Sequence, residues 1–169
     1  LIPIANISME ETAVFAQQLA KRVGDELQIP VYLYETAQPN PARNNLSIIR
    51  AGEYEGFFKK IKLPEWKPDF GPQEFDAKRG GTVIGARDFL VAYNINLNTT
   101  STRRANAIAF DIREAGRNIE VNGQKINQPG SLKFVKAIGW YIDEYGVAQI
   151  SINLTNINKT PVHIAFDEC

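Results

Sequence analysis

Phe89-Leu90-Val91-Ala92-Tyr93-Asn94-Ile95-Asn96-Leu97 is the stretch on which the reading of the fold turns. Its side chains alternate in polarity, as those of a half-buried β-strand do. Thr99 to Thr102 then offers capping hydroxyls, and Ala105, Ile108, Ala109 and Ile112 recur at helical spacing up to Gly116, a suitable glycine just past a helix end. Residues 118–130, with Gly123 and Pro129, read as a polar turn region. Two strands are expected at 134–143 and 147–154, joined by Glu144-Tyr145-Gly146, and Thr160-Pro161 reads as the cap and first position of a last helix. The order from residue 89 onward is strand, helix, strand, strand, helix: a β-α-β-β-α unit.

Working back towards the start, Ser8-Met9-Glu10-Glu11 has the form of a capping box, with Ser8 meeting the first amides and Glu11 reaching back. Val14, Phe15, Leu19 and Val23 follow at helical spacing, so a helix is expected over 9–25 with these residues as its apolar stripe. Ile29-Pro30-Val31-Tyr32-Leu33-Tyr34 is rich in β-branched and aromatic residues and reads as a strand. A polar loop with Pro39, Asn40 and Pro41 comes next. Residues 48–62 read as partly helical, with Glu53, Glu55, Lys59 and Lys60 on a solvated face. Residues 64–81 lack periodicity and hold Pro64, Pro68, Gly71, Pro72, Gly80 and Gly81. Loops of that length in a compact chain tend to bind something.

The run Leu1-Ile2-Pro3-Ile4-Ala5 reads as a strand, and Ile4-Ala5-Asn6-Ile7 before a capped helix echoes Tyr93-Asn94-Ile95-Asn96 before another. The echo and the restart of the pattern near Arg87 to Phe89 predict two α/β layers with a border there. Both ends, Leu1 without a preceding Met and Cys169 inside a helix, read as cut.

Composition narrows the functional classes. In 169 residues, nineteen basic and nineteen acidic side chains cancel, so the broad basic field of a nucleic-acid binder is missing and no such partner is expected. No apolar run is long enough to span a bilayer, and no membrane partner or secretory leader is expected. One cysteine, Cys169, rules out an internal disulfide framework and fits a cytoplasmic setting. His163, the single histidine, cannot by itself build a metal site and reads as a partly buried or interface side chain. No nucleophile elbow, phosphate-binding loop or dinucleotide fingerprint is present. What remains is a constellation for binding a planar, anionic small molecule. Lys78-Arg79-Gly80-Gly81 offers cations and backbone amides, and Arg87 a bidentate fork. Trp66, Phe70 and Phe75 offer ring faces, and Asn94 and Asn96 point to one face of a strand.

At this point several longer motifs become recognisable. Val31-Tyr32-Leu33-Tyr34, Arg50-Ala51-Gly52-Glu53-Tyr54-Glu55, Pro68-Asp69-Phe70-Gly71-Pro72 and Gly85-Ala86-Arg87 resemble stretches of the glutamate formimidoyltransferases. So do Ala92-Tyr93-Asn94-Ile95-Asn96-Leu97, Ile138-Gly139-Trp140-Tyr141, Ala148-Gln149-Ile150-Ser151 and Asn153-Leu154, in order along nearly the whole chain. This family includes the formiminotransferase half of formiminotransferase–cyclodeaminase. The resemblance implies an α/β fold (an α+β sandwich) of two stacked ferredoxin-like α/β subdomains with a folate groove between them. Residues 1–88 would be the C-terminal part of the first subdomain and 89–169 most of the second.

The resemblance also implies a reaction: transfer of the formimino group from N-formimino-L-glutamate to N5 of tetrahydrofolate, the co-substrate, in histidine degradation. It implies a homodimer. The family's folate-contacting segment corresponds to Gly71, Pro72, Gln73, Glu74, Phe75, Asp76, Ala77, Lys78, Arg79 and Gly80. Of these, Gly71, Pro72, Phe75 and Gly80 match the family pattern, and Arg87, Asn94 and Asn96 join them as expected binding residues. Asp88 stands where relatives carry a basic residue. The family's catalytic histidine lies in a His-Pro-Arg stretch expected just before Leu1, so no residue of 1–169 is given a catalytic role. Two other readings remain open on the sequence. One is a non-catalytic folate-binding module; the other is a related folate enzyme acting on 5-formyltetrahydrofolate.

Overall fold

Small side chains decide how the first half packs. In a computed structural model that describes residues 1–169, contacts divide the chain into two compact units, Leu1–Asp88 and Phe89–Cys169. Helix α1 (Met9–Leu27) opens on the expected capping box: the Ser8 hydroxyl accepts from the Glu11 amide at 3.1 Å, and the Glu11 carboxylate accepts from the Ser8 amide at 2.8 Å. The helix lies over a parallel pair of strands, β1 (Val31–Glu35) and β2 (Thr82–Ala86), in register from Val31↔Thr82 to Glu35↔Ala86. The face it buries is Thr12, Ala13, Ala16, Ala20 and Gly24, while Val14, Phe15 and Leu19 are exposed. The apolar stripe expected from spacing is therefore not the buried one. Alanines and glycine let the helix axis come close to the sheet, and at Gly24 any Cβ would strike the Gly71 amide.

Residues 48–62 form two short helices, α2 (Leu46–Arg50) and α3 (Glu53–Lys60), separated by Gly52 at φ 91°. The opening run 1–5 is not a strand. Only Leu1 attaches, its amino group donating to the Gly85 carbonyl at 2.7 Å and its carbonyl accepting from the Arg87 amide at 3.0 Å.

The second unit is built on a three-stranded antiparallel sheet in the order β3 (Val91–Asn96), β7 (Val147–Leu154), β6 (Val135–Ile142). Strands β3 and β6 run parallel with β7 antiparallel between them, and α4 (Thr102–Ile112) makes the crossover: the split β-α-β of ferredoxin-like folds. Unit one differs, since its strand pair is parallel. Ser101 caps α4 through the Arg104 amide. One sheet face packs Val135, Ala137, Ala148, Ile150, Ile152 and Leu154 against Ala105, Ala109 and Ile112. The other face is covered by no helix of this unit.

Two expectations in this unit change. Residues 118–130 are not irregular but a hairpin, β4 (Arg117–Val121) and β5 (Gln124–Gln128), turning at Asn122 (φ 52°) and Gly123 (φ 78°). Positive φ at both positions is what a two-residue hairpin turn asks for. All of β5 is exposed, so the alternation that betrays a strand is lost. At the end of the chain, helix α5 (Val162–Asp167) starts one residue later than read, with Pro161 at the cap, and the Thr160 hydroxyl donates to the Lys133 carbonyl at 2.6 Å. No helix is long and apolar enough to cross a membrane.

Candidate functional site

Two groups of expected binding residues are found, one in each unit. In unit one, residues 71–80 lie as a strap held down on α3. Phe75 packs its ring against Tyr54, Phe57 and Phe58, with centroids 5.5, 5.6 and 6.2 Å away. The Tyr54 hydroxyl donates to the Ala77 carbonyl at 2.7 Å, and the Gln73 amide donates to the Ile61 carbonyl at 3.0 Å. Gly71, at φ 78°, sits where a Cβ would run into the Ile29 carbonyl, so the strap leaves the core at a position reserved for glycine. Glu74, Asp76, Ala77, Lys78 and Arg79 are exposed, while Pro72, Phe75 and Gly80 are half-buried.

The anion-facing amides expected at 78–80 are used locally. The Lys78 amide donates to the Asp76 carboxylate at 2.8 Å, and those of Arg79 and Gly80 donate to the Asp76 carbonyl at 3.1 and 2.7 Å. Arg79 itself meets Asp76 at 3.4 Å and the Leu27 carbonyl at 3.2 Å. Trp66 and Phe70 are also committed to the fold. Phe70 packs into the α1 core, and the Trp66 ring carries the Lys60 ammonium 3.9 Å from its centroid. Half-buried Arg87 donates its amide to Leu1.

Beside the strap is a cavity of about 200 Å³ lined by Tyr32, Tyr54, Phe57, Lys60, Trp66 and Gly81, among others. Tyr32 and Phe57 were not expected as cavity residues, although Tyr54, Phe57 and Phe58 at helical spacing carried the signal, and Lys60, expected on a solvated face, turns inward instead. The Lys60 ammonium donates to the carbonyls of Ile48 and Ile49 at 2.6 Å each and to Ala51 at 3.2 Å, closing the C-terminal end of α2. Burial holds its pKa below the usual lysine value. It is a structural cation, not a solvated one. Burial pushes the Tyr32 phenol up to about 12, and its hydroxyl donates to the Trp66 carbonyl at 2.6 Å.

In unit two, Asn94 and Asn96 stand on the uncovered face of the sheet, opposite Ser151 and Gln149 of β7. Gln149 pairs in turn with Trp140 of β6. The Trp140 indole Nε1 donates to Gln149 Oε1 at 3.0 Å, and Gln149 Nε2 donates to Asn96 Oδ1 at 2.7 Å. This polar line crosses all three strands, with Ile138 and Trp140 exposed beside it. This face sets ordered amides beside exposed apolar side chains.

The remaining candidates carry less. His163, expected to be a partly buried or interface side chain, is exposed on α5, which removes the first of these settings. Burial pushes the Cys169 thiol up to about 11, which keeps it protonated and a poor nucleophile. No group of three or more His, Cys, Asp or Glu side chains gathers to hold a metal ion.

Residues 1–87 match the N-terminal subdomain of the formiminotransferase domain, and residues 92–169 match the formiminotransferase domain. The chain belongs to the formiminotransferase family. Among its relatives, the formimidoyltransferase-cyclodeaminase of Gallus gallus is 48% identical over 167 residues, and that of Dictyostelium discoideum 46% over 168. The glutamate formimidoyltransferase of Thermoplasma acidophilum is 42% identical over 168. These alignments take in 98–99% of this chain but only 29–30% of the two formimidoyltransferase-cyclodeaminases and 51% of the Thermoplasma acidophilum protein. The chain thus spans about half the length of a formiminotransferase of the shorter kind and under a third of the longer.

Proposed function

We propose that the native protein transfers the formimino group of N-formimino-L-glutamate to N5 of tetrahydrofolate, in histidine degradation, and that residues 1–169 supply part of its folate-binding framework. The observation that carries this reading is the unbroken similarity of both units to proteins named for that transfer, over 98% of the chain for the Thermoplasma acidophilum enzyme. The residues assigned to binding are 71–80, Arg87, Asn94 and Asn96.

Transfer needs the N5 lone pair to attack the formimino carbon, forming a C–N bond to the folate. A base takes the N5 proton, the bond to the glutamate nitrogen breaks, and an acid protonates that nitrogen as it leaves. Residues 1–169 contribute binding and orientation, and no side chain among them is assigned to either proton transfer. Once the ligand is fixed against a rigid surface, the reacting atoms need little further ordering. The ordered amides of the β3–β7–β6 face and the strap pinned by Phe75 are suited to that task. The strap's backbone conformation is fixed by its own bonds, so it offers a preformed edge. A homodimer in the cytoplasm completes the proposal.

The decisive experiment is a transfer assay on the native full-length protein with N-formimino-L-glutamate and tetrahydrofolate, reading 5-formiminotetrahydrofolate and free glutamate. Stoichiometric formation of both is expected. Absence of transfer with retained folate binding would favour a non-catalytic folate-binding protein. Turnover of 5-formyltetrahydrofolate in place of the formimino donor would move the assignment to that related chemistry.

A further inference from the structure

The indole of Trp140 has a hydrogen to give and nothing with which to accept. Whatever it meets across the strand must be an acceptor, so the Gln149 amide is turned with Oε1 towards Trp140, at 3.0 Å. That leaves Nε2 as the only atom Gln149 can present to its other neighbour, at 2.7 Å. Asn96 must then answer with Oδ1. An amide group is ambiguous alone, but here a donor-only ring fixes two amides in succession. Gln149 is 6% exposed, so solvent does not compete for these bonds. Asn96 is exposed and its Oδ1 accepts from Gln149, so Nδ2 is the end of the amide left to donate to a ligand.

We infer that Gln149, held by Trp140, is a positioning residue that sets Asn96 as a hydrogen-bond donor towards an acceptor oxygen or nitrogen of the bound ligand. The inference rests on the reading of this face as part of the substrate site. The acceptor chemistry is shared by the carbonyl and carboxylate groups of a folate and by the carboxylates of formimino-glutamate. A preset donor costs no reorientation on binding and rejects a ligand that would place a donor there, since two facing hydrogens leave both groups unsatisfied.

The test uses the native full-length protein at about pH 8, where an introduced carboxylate is ionised. Binding of 5-formyltetrahydrofolate and of N-formimino-L-glutamate is measured separately by calorimetry, which tells the two sources apart. Asn96→Asp keeps the bond from Gln149 but turns an oxygen outward, and should weaken one ligand by about tenfold or more. Gln149→Glu accepts from both Trp140 and Asn96, so Asn96 must turn over and show its oxygen; the same ligand should weaken by about tenfold. Gln149→Leu leaves Asn96 free to take either orientation and should cost only about twofold to threefold.

The order matters more than the size. A glutamine with a merely structural role would suffer more from leucine than from its isostere glutamate. Loss greater for Gln149→Leu than for Gln149→Glu overturns the inference, and so does an Asn96→Asp variant that binds both ligands as the wild type does. Failure of the wild type to bind 5-formyltetrahydrofolate would instead sink the folate assignment. The positioning would then be decided by exchange of the Asn96 side-chain amide in nitrogen-edited NMR. Fast exchange in the wild type and slow exchange in Gln149→Glu upholds it, and equal rates overturn it.

Discussion

At the residue scale, several side chains are held by a chemistry that has only one solution. Asp69 Oδ2 accepts from the Leu33 amide at 2.8 Å, Gln38 Nε2 at 3.0 Å and the Arg43 guanidinium at 3.2 Å. Both partners of the ion pair keep only 17% of their side-chain surface, and Arg43 leans on the rings of Tyr32 and Trp66. Removing the carboxylate strands a buried cation, so Asp69→Ala is expected to cost about 3 kcal/mol in urea unfolding. A loss under about 1 kcal/mol would mean that the network is solvated and of little consequence. Tyr32 gives a second expectation. Its folded pKa of about 12 lies above the ordinary 10.0, chiefly through burial, so the fold favours the neutral phenol. The associated stability is complete below about pH 10 and is lost as the pH climbs from about 10 to 12. The phenolate absorbance that appears near pH 12 should vanish in Tyr32→Phe. An unchanged high-pH limb in that variant would assign the late step to another ring.

At the element scale, α1 shows how a helix can present one pattern and bury another. Its spacing of Val14, Phe15, Leu19 and Val23 is a legitimate amphipathic signal, yet the sheet is met by Ala13, Ala16 and Ala20. Phe15→Ser is accordingly expected to change stability by no more than about 0.5 kcal/mol, while Ala16→Leu should overpack the helix–sheet contact and cost about 2–3 kcal/mol. Equilibrium denaturation of the two variants checks this, and the reverse order would return the core to the Phe15 stripe. The strap is governed by a single backbone position. Gly71→Ala places a Cβ against the Ile29 carbonyl at φ 78° and should cost about 2–3 kcal/mol, with faster proteolysis between residues 71 and 80. Wild-type cleavage rates in that variant would show the strap to be held by Phe75 alone.

At the scale of the whole molecule, two separate cores carry the chain, one under α1 and one between α4 and the β3–β7–β6 sheet. Ile150 is fully buried in the second, and Ile150→Ala should lower stability by about 3 kcal/mol in a melt followed by circular dichroism. A shift close to zero would place Ile150 outside a packed core. The sequence by itself determined the capped starts of α1 and α4, the three strands of the second unit's main sheet with the helix after the first, and the restart near residue 89, because caps and period are local properties of neighbouring residues. Its longer motifs also carried the family. It could not decide which face of α1 is buried, because that depends on how closely the sheet approaches. The β4–β5 hairpin was signalled only by Asn122-Gly123, a favoured hairpin turn pair, because β5 is exposed throughout and shows no buried alternation. The sequence suggested free amides at 78–80, where the local turn gives them to Asp76, and a free cation at Arg79, which meets Asp76 and the Leu27 carbonyl. Above all, only the pairing of β3, β7 and β6 brings Trp140, Gln149 and Asn96 into one line. Trp140 and Gln149 share a hairpin, but Asn96 lies 53 residues before Gln149, and a hydrogen bond is decided by distance in space.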